Sequence, residues 1–187
     1  MPYVHAYLQE TVEVVHGPSC KSEIEIFSRR CFDDCVPIVK RRGGGGTVVL
    51  SPGMVIILIV GKRTKGLSIR DTYSQIHRPI ISLIKEATGL ELQEMGISDL
   101  AVDNKKILGS SLYLTQNPFF YYYQSSLLVD PDCSLIEKYL KHPPREPDYR
   151  KGRPHHDFCI SLKDLGSSLG SEEILSILNN KLRDKIA

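Results

Sequence analysis

The order of apolar and polar positions divides the chain into strand-like and helix-like stretches. Thr11 to Val15 alternates and is β-branched, which predicts a strand, and His16-Gly17-Pro18-Ser19 stops it with turn chemistry. Ser22 to Cys35 places Ile24, Phe27 and Cys31 on one face behind Ser22 as cap, which predicts a helix. Val36 to Val39 reads as a short strand and Thr47 to Leu50 as another, with four glycines between them. Ser51-Pro52-Gly53 then turns the chain into Met54 to Val60, an apolar run that predicts a buried strand. Together these strands are expected to form antiparallel hairpins flanking the glycines. Asp71 to Ala87 carries Tyr73, Ile76, Ile80, Leu83, Ile84 and Ala87 at helical spacing. Pro79 is expected to kink that helix or mark a late start, and Gly89 to close it.

The second half continues the alternation. Ile97 to Val102, the turn Asp103-Asn104, and Lys105 to Leu108 have the signature of a β-hairpin. Phe119 to Val129 is strongly β-prone, Asp130 to Leu140 reads as a short helix, and the Pro-, Arg- and His-rich segment from His142 to His156 reads as a loop. Cys159 to Leu162 is expected to be a short strand. Ser171 to Ile186 is a final amphipathic helix with Ile174, Leu175, Ile177 and Leu178 on its apolar side. Helices inserted between hairpins predict an α+β fold with a mainly antiparallel or mixed sheet flanked by helices.

Composition narrows the function classes. A length of 187 residues supports one domain with a full-sized core, here expected to span 1–187. Twenty-four basic against 22 acidic residues leave a net charge of +2, too balanced to imply a nucleic-acid partner. No apolar run reaches bilayer-crossing length, and the first ten residues lack the basic and apolar regions of a signal peptide, so no membrane partner is expected. Five irregularly spaced cysteines argue for reduced thiols and a cytoplasmic location. Cys31 and Cys35 have no second ligand pair nearby, so no metal ligands are assigned.

Candidate chemistry concentrates at Lys40-Arg41-Arg42-Gly43-Gly44-Gly45-Gly46-Thr47. Four consecutive glycines have no packing value and a high entropic cost, so they are expected where a ligand needs the backbone bare. Arg41 and Arg42 are placed to add positive charge for a phosphate or carboxylate; the bland alternative is a flexible loop with a solvated basic pair. Lys106 lies in the hairpin just before Gly109, between apolar neighbours, where an anionic partner is needed if it points inward. Asp99 on the preceding strand is a candidate partner for a cation or a nucleotide amine. Weaker candidates are Tyr121 to Tyr123 as a base-stacking surface, His155-His156 with Arg153 as an anion site, and Cys133 or Cys159 as nucleophiles.

Four blocks, in order, resemble the lipoate–protein ligase and octanoyltransferase family, which is related in fold to the biotin–protein ligases. They are Val14-Val15-His16-Gly17; Arg41 to Val48 with its four glycines; Gly96 to Leu100 followed by Lys106-Ile107-Leu108-Gly109-Ser110-Ser111; and Ser125-Ser126-Leu127-Leu128 followed by Asp132 and Leu135. The resemblance implies a biotin/lipoate ligase catalytic domain of the class II synthetase-like type. It implies that lipoate (or octanoate) and ATP give an acyl-adenylate, with magnesium on the phosphates, and that the acyl group passes to a lysine of a carrier domain. That carrier would be like the glycine-cleavage H protein or a dehydrogenase E2. Lys106 would be the catalytic residue, holding phosphate and carbonyl oxygens as negative charge develops. Arg41, Arg42, Gly43, Gly44, Gly45, Gly46, Thr47, Asp99, Gly109, Ser110 and Ser126 would bind acyl chain and nucleotide, and Met54 to Val60 would line the tunnel.

The pattern also departs from the family's. Leu50 stands where a histidine is usual, Tyr123-Gln124-Ser125 replaces His-His/His-Gly, and no counterpart of the family's N-terminal helix or C-terminal accessory domain is expected within residues 1–187. The resemblance therefore leaves three readings: a ligase, alone or with an accessory subunit; an ATP-independent transferase taking an acyl thioester with Cys133 or Cys159; and a non-catalytic carrier-binding homologue.

Overall fold

In the computed structural model, which describes residues 2–186, the strands in chain order are β1 (Tyr3–Leu8), β2 (Glu13–His16), β3 (Ile38–Lys40), β4 (Val48–Leu50), β5 (Met54–Lys62), β6 (Gln93–Met95), β7 (Asp99–Val102), β8 (Lys105–Leu114) and β9 (Phe120–Leu128). The helices are α1 (Ser22–Glu25), α2 (Ser28–Asp33), α3 (Ile69–Thr88), α4 (Ser134–Tyr139), α5 (His155–Phe158) and α6 (Ser171–Ile186), with a 3₁₀ turn at Asp148–Arg150. A six-stranded antiparallel sheet runs β1-β5-β9-β8-β7-β6, and a small sheet runs β3-β2-β4.

The apolar run of β5 is explained by its position. Val55, Ile57 and Ile59 point into a core shared with Ile76, Ile80 and Leu83 of α3 and Leu178 of α6. The alternate residues Met54 and Ile56 point the other way and pack with Val15, Leu50 and Leu128 beneath the small sheet. Both faces of the strand are therefore covered over its first half, so its sequence does not alternate there. Each such buried side chain contributes about 1.5–3 kcal/mol of transfer free energy.

A capping box starts α3: Ser68 Oγ accepts from Asp71 N–H at 3.1 Å, and Asp71 Oδ2 accepts from Ser68 N–H at 3.3 Å. The helix runs through Pro79 as one element and ends at Gly89, whose φ of 76° suits a residue without Cβ. Ser68→Ala is expected to lower stability by about 1 kcal/mol, read as a shift of the denaturation midpoint at unchanged slope.

Several expectations are corrected. The segment 22–35 is not one helix: Ile26 bridges to Leu140, and Phe27 N–H bonds to Tyr139 O at 2.8 Å, so pairing with the α4 region interrupts the helix. The strands around the glycines are not a set of antiparallel hairpins. β3 runs parallel to β2, β4 runs antiparallel to β2, and β5 belongs to the other sheet. The glycine loop is thus the crossover that carries the chain past β2. Cys159 to Leu162 is no strand; Cys159 makes only an isolated parallel bridge to Lys106. β1 and β6 were not expected, and β8 continues to Leu114.

Candidate active site

Lys106 and Asp99 are brought together by the β7–β8 pairing, in which Asp99 stands opposite Gly109. The lysine side chain crosses above Gly109, where a Cβ would lie 2.6 Å from its Cε and 2.7 Å from its Nζ. It reaches Asp99, with Nζ 2.8 Å from Oδ1. The other carboxylate oxygen accepts a hydrogen bond from Tyr149 Oη at 2.9 Å. Asp99 is buried, so a cation and a neutral donor compensate its desolvation. Burial and the charge of Asp99 push the Tyr149 phenol far above its ordinary range, so it keeps its proton as donor.

The glycine loop is held from inside by Arg41. Its guanidinium donates to Val15 O at 3.2 Å, to Gly44 O at 3.0 Å and to Gly46 O at 2.6 Å. Burial lowers the pKa of this group from its ordinary value, which leaves an arginine charged at neutral pH. At the loop exit, Thr47 Oγ1 donates to Glu25 Oε2 at 2.6 Å, and the other Glu25 oxygen accepts from Lys21 N–H at 3.2 Å. Burial opposes the charge of Glu25, but these hydrogen bonds outweigh it and the carboxyl sits below its usual range. Gly17 closes the arrangement, since a Cβ there would collide with the Gly45 carbonyl oxygen.

These elements surround a cavity of about 690 Å³, within the ordinary range of small-molecule sites, about 300–1,000 Å³. Asp99, Lys106, Gly109, Ser110 and Ser126 line one part, and Arg41, Gly45, Gly46 and Thr47 another. Val15, Leu50, Met54, Ile56 and Leu128 give it an apolar region. The cavity therefore joins an apolar slot to the ammonium group of Lys106 fixed by Asp99, with Lys141, Arg70, Arg145 and Arg150 also on its wall. Ser110 Oγ donates to Ser98 O at 2.6 Å and lies 3.3 Å from Nε2 of His77. Burial pushes His77 down to about 4, so it is neutral at neutral pH.

Other candidates fall elsewhere. Arg42 and Gly44 are exposed and off the cavity wall; Gly43 is also off it but buried, against Ser111 of β8. Tyr123 is core and Tyr122 is exposed away from the cavity, so the three tyrosines form no common stacking surface at the site. Arg153 is committed to the carbonyls of Asn104 and Tyr149, and His156 to Glu137. Cys159 lines the cavity beside Lys106, whereas Cys133 does not, and burial pushes the Cys133 thiol up to about 11. Sequence reasoning missed Glu25 and Tyr149. Tyr149 is 50 residues from the carboxylate it serves, and no local pattern announces such a contact.

The profile of the lipoyl protein ligase A/B catalytic domain matches residues 2–183. The chain belongs to this family. Within it, a lipoate–protein ligase from Streptococcus pyogenes is 31% identical over 108 residues, which are 57% of this chain and 30% of that protein. The chain thus matches less than a third of that relative's length. Among solved structures, a bi-partite lipoate protein ligase from Thermoplasma acidophilum has a TM-score of 0.83 at 17% identity, covering 99% of this chain and 71% of that one. A lipoate–protein ligase A bound with ATP also has a TM-score of 0.83, at 15% identity, covering 99% and 72%. At such identities these two establish the ligase-domain fold, an α+β domain with its antiparallel sheet flanked by helices.

Proposed function

We propose that this lipoyl ligase-family domain attaches lipoate, or the related octanoate, to a lysine of a lipoyl carrier domain by way of an acyl-adenylate. The observation that carries the proposal is the Lys106 ammonium group, fixed by Asp99 on the wall of a cavity that continues into an apolar slot. The slot suits the acyl chain, and the glycine loop and Thr47 suit the adenylate. Lys106 would meet the carboxyl and phosphate oxygens where charge accumulates during adenylation and again during transfer. Arg41 acts at one remove: it shapes the loop and adds charge behind it. Tyr149 acts through Asp99, as a positioning residue for Lys106.

ATP is the activating substrate in this reading, and the ATP-bound relative supports it. Among the described residues no cluster of three or more His, Cys, Asp or Glu side chains is placed to hold a metal. Magnesium would accompany ATP, bridging its phosphates. The carrier would resemble the glycine-cleavage H protein or the dehydrogenase E2 lipoyl domain. An accessory subunit that assists adenylation belongs to the same proposal, and the bi-partite relative supports it.

The test is mass spectrometry of a lipoyl domain incubated with the protein, lipoate, ATP and magnesium, and in parallel with preformed lipoyl-adenylate. A gain of one lipoyl group in both supports a complete ligase. A gain with the adenylate alone assigns the transfer half and calls for a partner. No gain in either overturns the reading and favours a non-catalytic carrier-binding role.

One observation favours a second reading. Cys159 is bridged to Lys106 on the cavity wall; burial, with Asp99 adding to it, holds its thiol above the ordinary range, and Lys106 and Arg150 oppose that shift without reversing it. A thiolate there would accept an acyl group from a thioester, release the donor thiol, and pass the acyl group to the carrier lysine without ATP. For the ligase, Cys159→Ser is expected to change ATP-dependent transfer by less than about threefold, since the substitution is nearly isosteric and the adenylate route gives the thiol no step. Loss of transfer from an acyl thioester in the same variant, with no ATP requirement, would establish the thioester route.

A further inference from the structure

The register of the main sheet exposes a feature the reaction does not use. Tyr7, Ile56, Ser126 and Gly109 stand opposite one another across β1, β5, β9 and β8, and the last three line the cavity. Two residues along, on the same face, the row is His5, Leu58, Gln124 and Ser111. Two further, it is Tyr3, Val60, Tyr122 and Tyr113. Side chains two apart on a strand share a face, so the sheet surface under the cavity continues as an aromatic platform. There it is open: Tyr3 is 57%, Tyr122 46% and Tyr113 37% exposed. Tyr113 and Tyr122 are in ring contact at 6.0 Å, and Tyr3, His5 and Tyr7 form a ladder along β1.

Dimensions and charge identify what such a surface fits. Four residues of strand separate the outer row from the cavity row, about 13 Å, and three strand spacings make the platform about 14 Å wide. A domain resting there has its edge within reach of the cavity for an extended lysine side chain. At the outer end, the chain leaves β5 through Lys62, Arg63 and Lys65, without an acidic residue before Asp71. On the glycine-loop side stand Lys40 and Arg42, both exposed. Among the described residues none of these five cations has an ion-pair partner within 4 Å. The acidic residues Glu10 and Glu13 lie beyond the other end of β1. Exposed tyrosines with a basic rim match the composition of interface centres, where aromatic anchors dominate and charge steers the encounter.

We propose that this Tyr3–Tyr122–Tyr113 platform, with Lys62, Arg63 and Lys65 at its rim, is the docking surface for an acidic protein domain that presents its acceptor lysine to the cavity. The inference rests on the proposed carrier-lysine acylation, and the experiment separates the two. Tyr113→Thr with Tyr122→Thr removes the rings while keeping residues of high β propensity in the strands; Lys62→Glu with Arg63→Glu reverses the rim. The probe is an isolated acidic lipoyl domain bearing its unmodified lysine, with the full chain as enzyme. Both double variants should raise the KM for that domain by about tenfold or more, leaving kcat and carrier-free, lipoate-dependent pyrophosphate exchange unchanged. Added salt should weaken wild-type binding more than binding by the charge-reversed variant.

An unchanged KM in both variants would overturn the proposal. So would sedimentation showing a wild-type dimer that the tyrosine variant dissociates, because the surface would then belong to a second copy. Should the wild-type protein modify no carrier, the acylation reading fails, while calorimetric titration of the same lipoyl domain still tests the surface. Binding weakened in both variants supports the platform, and no binding by the wild type overturns it.

Discussion

Lys106→Ala is expected to reduce lipoyl transfer from preformed adenylate by about a thousand-fold, the order lost when a preorganised charge or oxyanion donor is removed from an active site. The ammonium is fixed by Asp99 at 2.8 Å on a half-buried side chain, so it needs little reorganisation as negative charge grows on the acyl and phosphate oxygens. An arginine on the exposed part of the glycine loop cannot replace it, because Arg42 is off the cavity wall. The variant also removes the cation from a buried carboxylate, which costs about 1–3 kcal/mol of stability. Lys106→Ala combined with Asp99→Asn separates the effects. The pair should recover most of the lost melting temperature and none of the activity. Single-turnover transfer monitored by mass spectrometry is the measurement, and a rate within about tenfold of wild type would remove Lys106 from the mechanism.

How much of this site was legible in the sequence depends on the range over which each contact acts. The glycine run, Lys106 and Asp99 stand out locally, because each sits where its residue type is expensive without a partner. What holds them was not legible. Arg41 was expected to face a ligand anion, yet its hydrogen bonds go to the carbonyls of the loop itself. Four glycines present carbonyl oxygens as freely as N–H groups, and the choice between them depends on backbone angles the sequence does not specify. Glu25 and Tyr149 act across 22 and 50 residues of chain.

The fold shows the same division. β5 and α3 were readable because one is a continuous apolar run and the other has a clear helical period. The break between α1 and α2 was not, because a helical pattern there yields to pairing with residues more than 100 positions away. β6 carries Gln93, Glu94 and Met95, with no apolar alternation, and gains its strand character only from pairing with β7. The parallel pairing of β2 with β3 follows from a crossover, and loops of this length leave that topology open.

Gly109→Ala is expected to lower transfer by about a hundred-fold while leaving the fold intact, although it adds a single methyl group. The new Cβ would lie 2.6 Å from Cε and 2.7 Å from Nζ of Lys106, well inside van der Waals contact. The obstructed atoms are the far end of a flexible side chain, so relief comes by swinging the lysine away instead of distorting β8. That movement separates Nζ from Asp99 and from the oxygens it is proposed to meet, and a displacement of about 1 Å at a reacting group is enough for a loss of this order. Gly17→Ala makes the useful contrast, because its Cβ would meet the Gly45 backbone carbonyl, which no rotamer change can clear. Gly109→Ala should therefore show a near-native melting temperature, a reduced kcat and little change in the KM for lipoate. Gly17→Ala should disturb the glycine loop and raise the KM for lipoate and ATP. If Gly109→Ala retained wild-type kcat, the path of the lysine above Gly109 would have no part in catalysis, and the case for Lys106 as the charge-stabilising group would weaken with it.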